Sequence, residues 1–483
     1  MKAKLLTLSA AVALTLGSVS ASAVDFHGYM RSGLNYGSQG GNAYCFGKGQ
    51  LGQLLGRLGD ECDTYAEIAL SQEVYNKANH KFTVHTLVAY GSHESHYDEQ
   101  GNSWQGVGSG GDRAGADGTS AWNGQRLSFR EAYVDYEMPS GLTLWAGKRF
   151  YQRKDIHIMD FYYLNNSGNG FGVENIGVGN LGSLSFALIK QQVDLGLDDS
   201  YNALTCKDWD QENQICKDDN GISTRYVNQK IPTDSINSYK LDARWNGIPM
   251  WSDATLDVAL IYAWQNLSKA QKQAPIHGNN GFLGMIEWTQ GNFFGGFNKL
   301  SFTYGKDALD YVGTLNGGNH AGDNVIPYQE QGSGVRFIDW GVIEQAKWNL
   351  GYALLWTHKH ADKVNGVYNG GANWSHPTGN DWGFVLRPSY KWSDYTSTVV
   401  EFGFTSQHNT NWNGWATPDK DRVGATKLTV AQQWSPATHF WARPSIRVFA
   451  SWLSGDLMHH NYTGLSDSKN HEYIYGAQVE AWW

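Results

Sequence analysis

Glu472-Tyr-Ile-Tyr-Gly-Ala-Gln-Val-Glu-Ala-Trp-Trp483 reads as a strand with two unlike faces. Its odd positions, Tyr473, Tyr475, Ala477, Val479, Ala481 and Trp483, are apolar with aromatic ends. Its even positions, Glu472, Ile474, Gly476, Gln478, Glu480 and Trp482, are mainly polar. Side chains alternate across a strand, so a period of two marks a sheet whose sides meet different surroundings.

The same alternation recurs upstream. Ala442, Pro444, Ile446, Val448 and Ala450 oppose Arg443, Ser445 and Arg447. Leu300, Phe302 and Tyr304 oppose Lys299, Ser301 and Thr303; Leu386, Pro388, Tyr390 and Trp392 oppose Arg387, Ser389 and Lys391. A soluble sandwich shows this pattern too. Three features favour a transmembrane antiparallel β-barrel: strands recur through the chain without a composition break, aromatic residues gather at strand ends, and Trp483 closes the chain within a strand. At roughly 10 residues per strand, about 18 strands fit, with short turns at one rim and long loops at the other. The long connections fall at Gly91–Gln125, Val193–Thr233, Ser268–Asn279, Lys306–Gly332, His358–Asp381, Ser406–Asp421 and Gly455–Asn470.

The amino terminus carries Lys2 and Lys4, an apolar run Leu5–Leu16 and the small residues Ala21-Ser-Ala23. This predicts a signal peptide over residues 1–23 and a barrel domain over 24–483, exported to the outer membrane of a Gram-negative bacterium. The apolar run is too short for a membrane helix. Four cysteines in an exported chain predict disulfides, and proximity favours Cys45 with Cys62 and Cys206 with Cys216 over the two other pairings. A net charge of −9 argues against a nucleic-acid partner.

Inside such a barrel one stretch stands out. Gly147–Tyr163 sets Lys148, Arg149, Arg153, Lys154, Asp155, His157 and Asp160 among Phe150, Tyr151, Phe161, Tyr162 and Tyr163. Ions at that density are too costly against lipid, and rings among ions suit an enclosed wet site where a polar ligand passes. Aromatic residues also fall on inward parity elsewhere. Trp482 aligns with Gln478 and Glu480, Trp441 with Arg443 and Arg447, and Phe297 with Lys299 and Ser301. Tyr29 aligns with Asp25 and Arg31, and Tyr65 with Glu67. Sugar rings stack their C–H faces on such rings while their hydroxyls seek charged partners. The competing reading, rings packed on an infolded loop, fits any one of them better than all five.

The chain resembles the maltoporin family of maltodextrin-selective outer-membrane porins. The resemblance rests on Val24-Asp-Phe-His-Gly-Tyr29, Glu61-Cys-Asp-Thr-Tyr-Ala-Glu67, Trp145-Ala-Gly-Lys-Arg-Phe-Tyr-Gln-Arg153, Met159-Asp-Phe-Tyr-Tyr163, Ala431-Gln-Gln-Trp434 and Ile446-Arg-Val-Phe-Ala450. It implies an 18-stranded barrel, a homotrimer, and a third loop folded inward over the pore. It further implies passive transport of maltose and maltodextrins along an aromatic slide of Tyr29, Tyr65, Phe297, Trp441 and Trp482. Trp122, with Trp104 as the other candidate, would supply the outermost ring from a neighbouring subunit. The implied ionic tracks are Arg31, Arg57, Glu67, Arg130, Arg153 and Asp160, with Tyr162 as the constricting ring. No catalytic residue, metal or cofactor is implied.

Two positions depart from the family: its Trp-Asp after the tyrosine pair is replaced by Leu164-Asn165, which bears on sugar preference. A porin for another oligosaccharide such as sucrose is the near alternative. An outer-membrane barrel enzyme or a secreted carbohydrate-binding protein is the distant one. His358-Lys-His360 and His459-His460 read as surface histidines rather than metal ligands. Asp155 and Asp160 lack the pocketed fold that a glycosidase pair requires.

Overall fold

The computed structural model describes residues 24–38, 53–60, 64–92, 126–194, 203–204, 208–210, 215–217, 228–229, 235–266, 280–313, 315, 332–361, 378–408, 422–455 and 471–483. Eighteen antiparallel strands form one closed sheet. They are β1 (Asp25–Gly37), β2 (Thr64–Lys77), β3 (His80–Ser92), β4 (Arg126–Glu137), β5 (Thr143–Arg149) and β6 (Gly168–Gly177). Next come β7 (Ser183–Asp194), β8 (Ser235–Pro249), β9 (Ala254–Gln265), β10 (Gly281–Phe293), β11 (Gly296–Asp307) and β12 (Gly332–Glu344). The circuit finishes with β13 (Trp348–Ala361), β14 (Gly379–Lys391), β15 (Thr396–His408), β16 (Arg422–Trp434), β17 (Ser445–Gly455) and β18 (His471–Trp482). Each strand pairs with the next, and β18 pairs with β1 to close the ring. Closure leaves no exposed strand edge, as a lipid-embedded backbone requires.

The seam is extended by one residue. The Trp483 amide donates to the Gly28 carbonyl, and the Gly28 amide donates to the Trp483 carbonyl. The indole crosses so close to Gly28 that a Cβ there would stand 2.2 Å from the ring. A short turn joins β2 to β3 through Ala78 and Asn79, both at positive φ, a backbone sense that matches the twist of the flanking strands.

The two faces behave as the alternation predicts. In β17, Ile446 and Val448 are exposed at 57% and 53%, while Ser445 and Arg447 are buried inside. In β18, Tyr473 and Tyr475 face outward while Glu472, Gln478 and Glu480 are buried inward. An outer belt including Phe26, Leu34, Leu260, Ile286, Phe402 and Val430 is exposed, and hydrocarbon is the surrounding that removes its cost.

The interior is partly filled. The segment between β5 and β6 folds inward as a hairpin, Lys154–Ile156 against Phe161–Leu164, joined by a 3-10 turn at His157–Met159. Tyr151, Ile156, Met159, Phe161, Tyr163 and Leu164 are almost wholly buried. Two further segments join it. Leu54, Leu55 and Leu58, in and after the 3-10 turn Gln53–Leu55, pack inside, and so do Leu309, Tyr311, Val312 and Leu315 beyond β11.

Several sequence expectations change here. The stretch after Lys306, read as a surface loop, begins with buried residues that share an apolar cluster with the inward hairpin. Val193, His358 and Ser406, placed in loops, lie in strands. Trp441 and Arg443 stand in the turn before β17, not in the strand, and Ala442 is buried rather than lipid-facing. Pro444 lacks the N–H that a ladder position needs, so the strand starts at Ser445. Residues 1–23, Cys45, Cys62, Trp104, Trp122 and Cys206 lie outside the described residues. Cys216 sits in the short strand Ile215–Lys217, opposite Trp209.

Candidate functional site in the barrel lumen

The five inward rings named from sequence form one continuous row. Arg31 is the ladder partner of Tyr65, and Tyr29 is the ladder partner of both Glu67 and Trp482. The Tyr29 and Tyr65 rings are 6.1 Å apart. His157, from the tip of the inward hairpin, stands between the next two, 5.4 Å from Trp482 and 5.4 Å from Trp441. Trp441 then stacks on Phe297 at 6.5 Å and 18°. The row thus runs from β2 through β1 and β18 to the β16–β17 turn and β11.

Ionic groups flank it. Arg31 donates to Asp160 at 3.2 Å and lies over the Tyr65 ring, and the Tyr65 hydroxyl donates to Glu67. Arg57 donates to the Tyr29 hydroxyl and pairs with Glu480 at 3.2 Å. Glu480 also meets Arg443 at 2.7 Å, Arg447 at 3.3 Å and the His157 ring at 3.4 Å. Arg443 in turn lies over Trp482. A buried carboxylate is tolerable only with such compensation.

At the hairpin, Arg153 lies over Phe150 at 3.5 Å and over Tyr162 at 4.6 Å. Rings occupy the guanidinium face, leaving its edge N–H groups as donors. Arg130 lies over Phe150 at 5.5 Å, and the Phe150 amide donates to Glu131. A bulge arranges this: Leu87 pairs with Glu131 and Val88 with Phe129, leaving Arg130 as an extra residue.

Burial shapes the protonation of these loop groups. Burial would raise Asp160, but Arg57 and Arg31 outweigh it and hold its carboxyl below the ordinary range. Burial pushes Asp155 up, against the pull of Arg153. His157 is driven well below the usual histidine range by burial, with Arg57 and Arg443 adding to it against Glu480, so its ring is neutral near pH 7. Tyr162 is pushed up to about 12, chiefly by burial, and stays a neutral phenol.

Leu164 is fully buried in the apolar cluster, and Asn165 accepts from the Ser167 hydroxyl. His157, Glu480, Arg443 and Phe150 were not picked out as site residues from the sequence. Glu480 carried a legible signal, because it shares inward parity with Trp482.

A closed barrel narrowed by an inward hairpin, with ring and ion rows along its wall, has the construction of a porin. The family model described as LamB porin matches residues 24–483, and the chain belongs to that family. A protein of Photobacterium profundum named maltoporin is 32% identical over 492 residues, covering 99% of this chain and 98% of the relative. Among solved structures, Acinetobacter baumannii OccAB1 is similar with a TM-score of 0.48 at 10% identity, over 97% of this chain and 99% of that one. Pseudomonas aeruginosa OccD3 gives 0.45 at 9% identity, over 96% and 92%. These two likenesses are loose and add nothing to the assignment. Family and fold together make the chain an outer-membrane sugar porin, a channel rather than an enzyme.

Proposed function

We propose that this porin selects maltose and maltodextrins and conducts them passively, as a homotrimer in the Gram-negative outer membrane. The observation that carries the reading is the series Tyr65, Tyr29, Trp482, Trp441 and Phe297, with His157 between the two tryptophans. An α-linked glucan coils with one apolar face, and a row of rings matches successive glucose units. Arg31, Arg57, Glu67, Arg130, Arg153 and Asp160 exchange hydrogen bonds with the hydroxyls. Charged partners strengthen each bond, and equivalent neighbouring sites let one set replace the next. Binding of this kind is strong enough to admit the chain and divided enough to release it. Tyr162 sets the narrowest gap.

Residues 1–23 act as the export signal, the barrel domain spans residues 24–483, and Trp122 extends the row from a neighbouring subunit. The relative named maltoporin supports the substrate class. Bilayer conductance titrated with maltooligosaccharides of increasing length and with sucrose tests the proposal. Block that strengthens with glucan length is expected; equal or stronger block by sucrose would overturn it.

A further inference from the structure

We infer that Glu287 is a positioning residue for the constriction, holding both legs of the inward hairpin to the barrel wall while other contacts hold its tip. Glu287 lies on β10 and is fully buried. Its Oε1 accepts from the Lys154 ammonium at 2.8 Å, and its Oε2 accepts from the Tyr163 hydroxyl at 2.5 Å. Lys154 and Tyr163 belong to opposite strands of the hairpin, so one carboxylate spans both. Asp257, the ladder partner of Glu287 on β9, takes a second bond from Lys154 at 2.7 Å, and Lys299 approaches Glu287 at 3.4 Å.

Each anchored residue is the sequence neighbour of a residue proposed for the pore. Arg153 precedes Lys154, and Tyr162 precedes Tyr163, the residue that the hairpin's register shift leaves without a ladder partner. Lys154 and Tyr163 reach the wall, while Arg153 and Tyr162 lie against one another, guanidinium over ring. Fixing the first pair therefore fixes the position of the second, the arrangement by which a supporting group holds a functional one in place. Burial works against the Lys154 ammonium, yet Glu287 and Asp257 raise its pKa above the ordinary value, so the clamp stays charged. The two carboxylates lie side by side on the wall with Lys299 near one of them, and Lys154 is the cation that bridges both, which couples hairpin docking to their compensation.

The inference deepens the proposed role of Arg153 and Tyr162 and rests on it. Its test uses ion current and polyethylene glycol exclusion in planar bilayers, without sugar, on full-length channels carrying Lys154→Met, Tyr163→Phe, both together, or Glu287→Gln. None of these changes Arg153 or Tyr162. The double variant is expected to raise single-channel conductance about twofold, add open-channel flicker and admit larger polymers. Lys154→Arg is expected to restore wild-type behaviour. Resistance of the folded barrel to heat in detergent checks assembly, and if Glu287→Gln does not assemble, the two single variants, each keeping one leg, decide the matter. Wild-type conductance, flicker and polymer cut-off in the double variant would overturn the inference. A separate sugar titration on the same channels reads the proposed role of Arg153 and Tyr162, so the two ideas fail independently.

Discussion

The indole of Trp441 lies nearly parallel to the ring of Phe297, 6.5 Å away, although one belongs to the turn before β17 and the other to the start of β11. Phe440 abuts Trp441 edge-on at 4.9 Å, so the indole is held in place by its own neighbour. Two distant parts of the chain thus bring near-parallel rings together near the short-turn rim.

Replacing Trp441 with Ala is expected to weaken maltodextrin block of the channel while leaving small-ion conductance nearly unchanged, because the ring adds contact and no charge. One stacking contact is worth on the order of 1 kcal/mol, roughly a fivefold loss of affinity. An unaltered sugar titration would remove Trp441 from the binding row.

Tyr162→Ala is expected to raise single-channel conductance by widening the narrowest point. Arg153→Ala is expected instead to weaken sugar binding and increase cation preference, since it deletes a positive charge lying against Tyr162. Reversal potentials in a salt gradient and sugar titrations separate the two. Wild-type values of both observables in both channels would contradict the constriction assigned to the hairpin.

His157 carries a pH signature. Its folded pKa lies well below the unfolded value near 6.5, so the native ring resists a proton that the unfolded chain accepts. Its contribution to stability is therefore present above about pH 6.5 and lost as pH falls toward the folded pKa, by up to about 1.4 kcal/mol per unit. Urea unfolding midpoints at pH 7 and pH 5 should fall more in the wild type than in His157→Gln. Equal falls would show that His157 is not the group responsible.

Cys45 and Cys62 are expected to be linked, closing the first long loop around Arg57 at a gain of roughly 3 kcal/mol. Peptide mapping without reduction should recover them as one species. Free thiols at both positions would refute the pairing.

The strands were legible because lipid and lumen impose opposite demands on alternate residues, as in Tyr473 to Glu480. Tyr29, Tyr65, Phe297 and Trp482 were legible as exceptions to that alternation. Trp441 fell on the right side for a wrong reason, since no strand reaches it. The infolding of Leu54–Leu58 and of the segment after β11 left no periodic trace: such short apolar groups within polar connections look like ordinary loop residues until the lumen surrounds them. His157 was visible as a charge-capable residue, but its place between Trp482 and Trp441 depends on the path of the hairpin through space.

The bulge in β4 has a consequence for how this channel can be taken apart. Removing Arg130 altogether would leave Phe129 opposite Val88 and Glu131 opposite Leu87, the regular pairing of an uninterrupted ladder. The extra residue bends the strand at that point and carries a guanidinium toward Phe150. Most residues at a binding surface serve two masters, and changing them disturbs the scaffold along with the ligand. Because the pairing on either side of Arg130 is regular, deletion, ordinarily the harshest of mutations in a strand, is expected here to keep the ladder in register while subtracting a single charge from the passage.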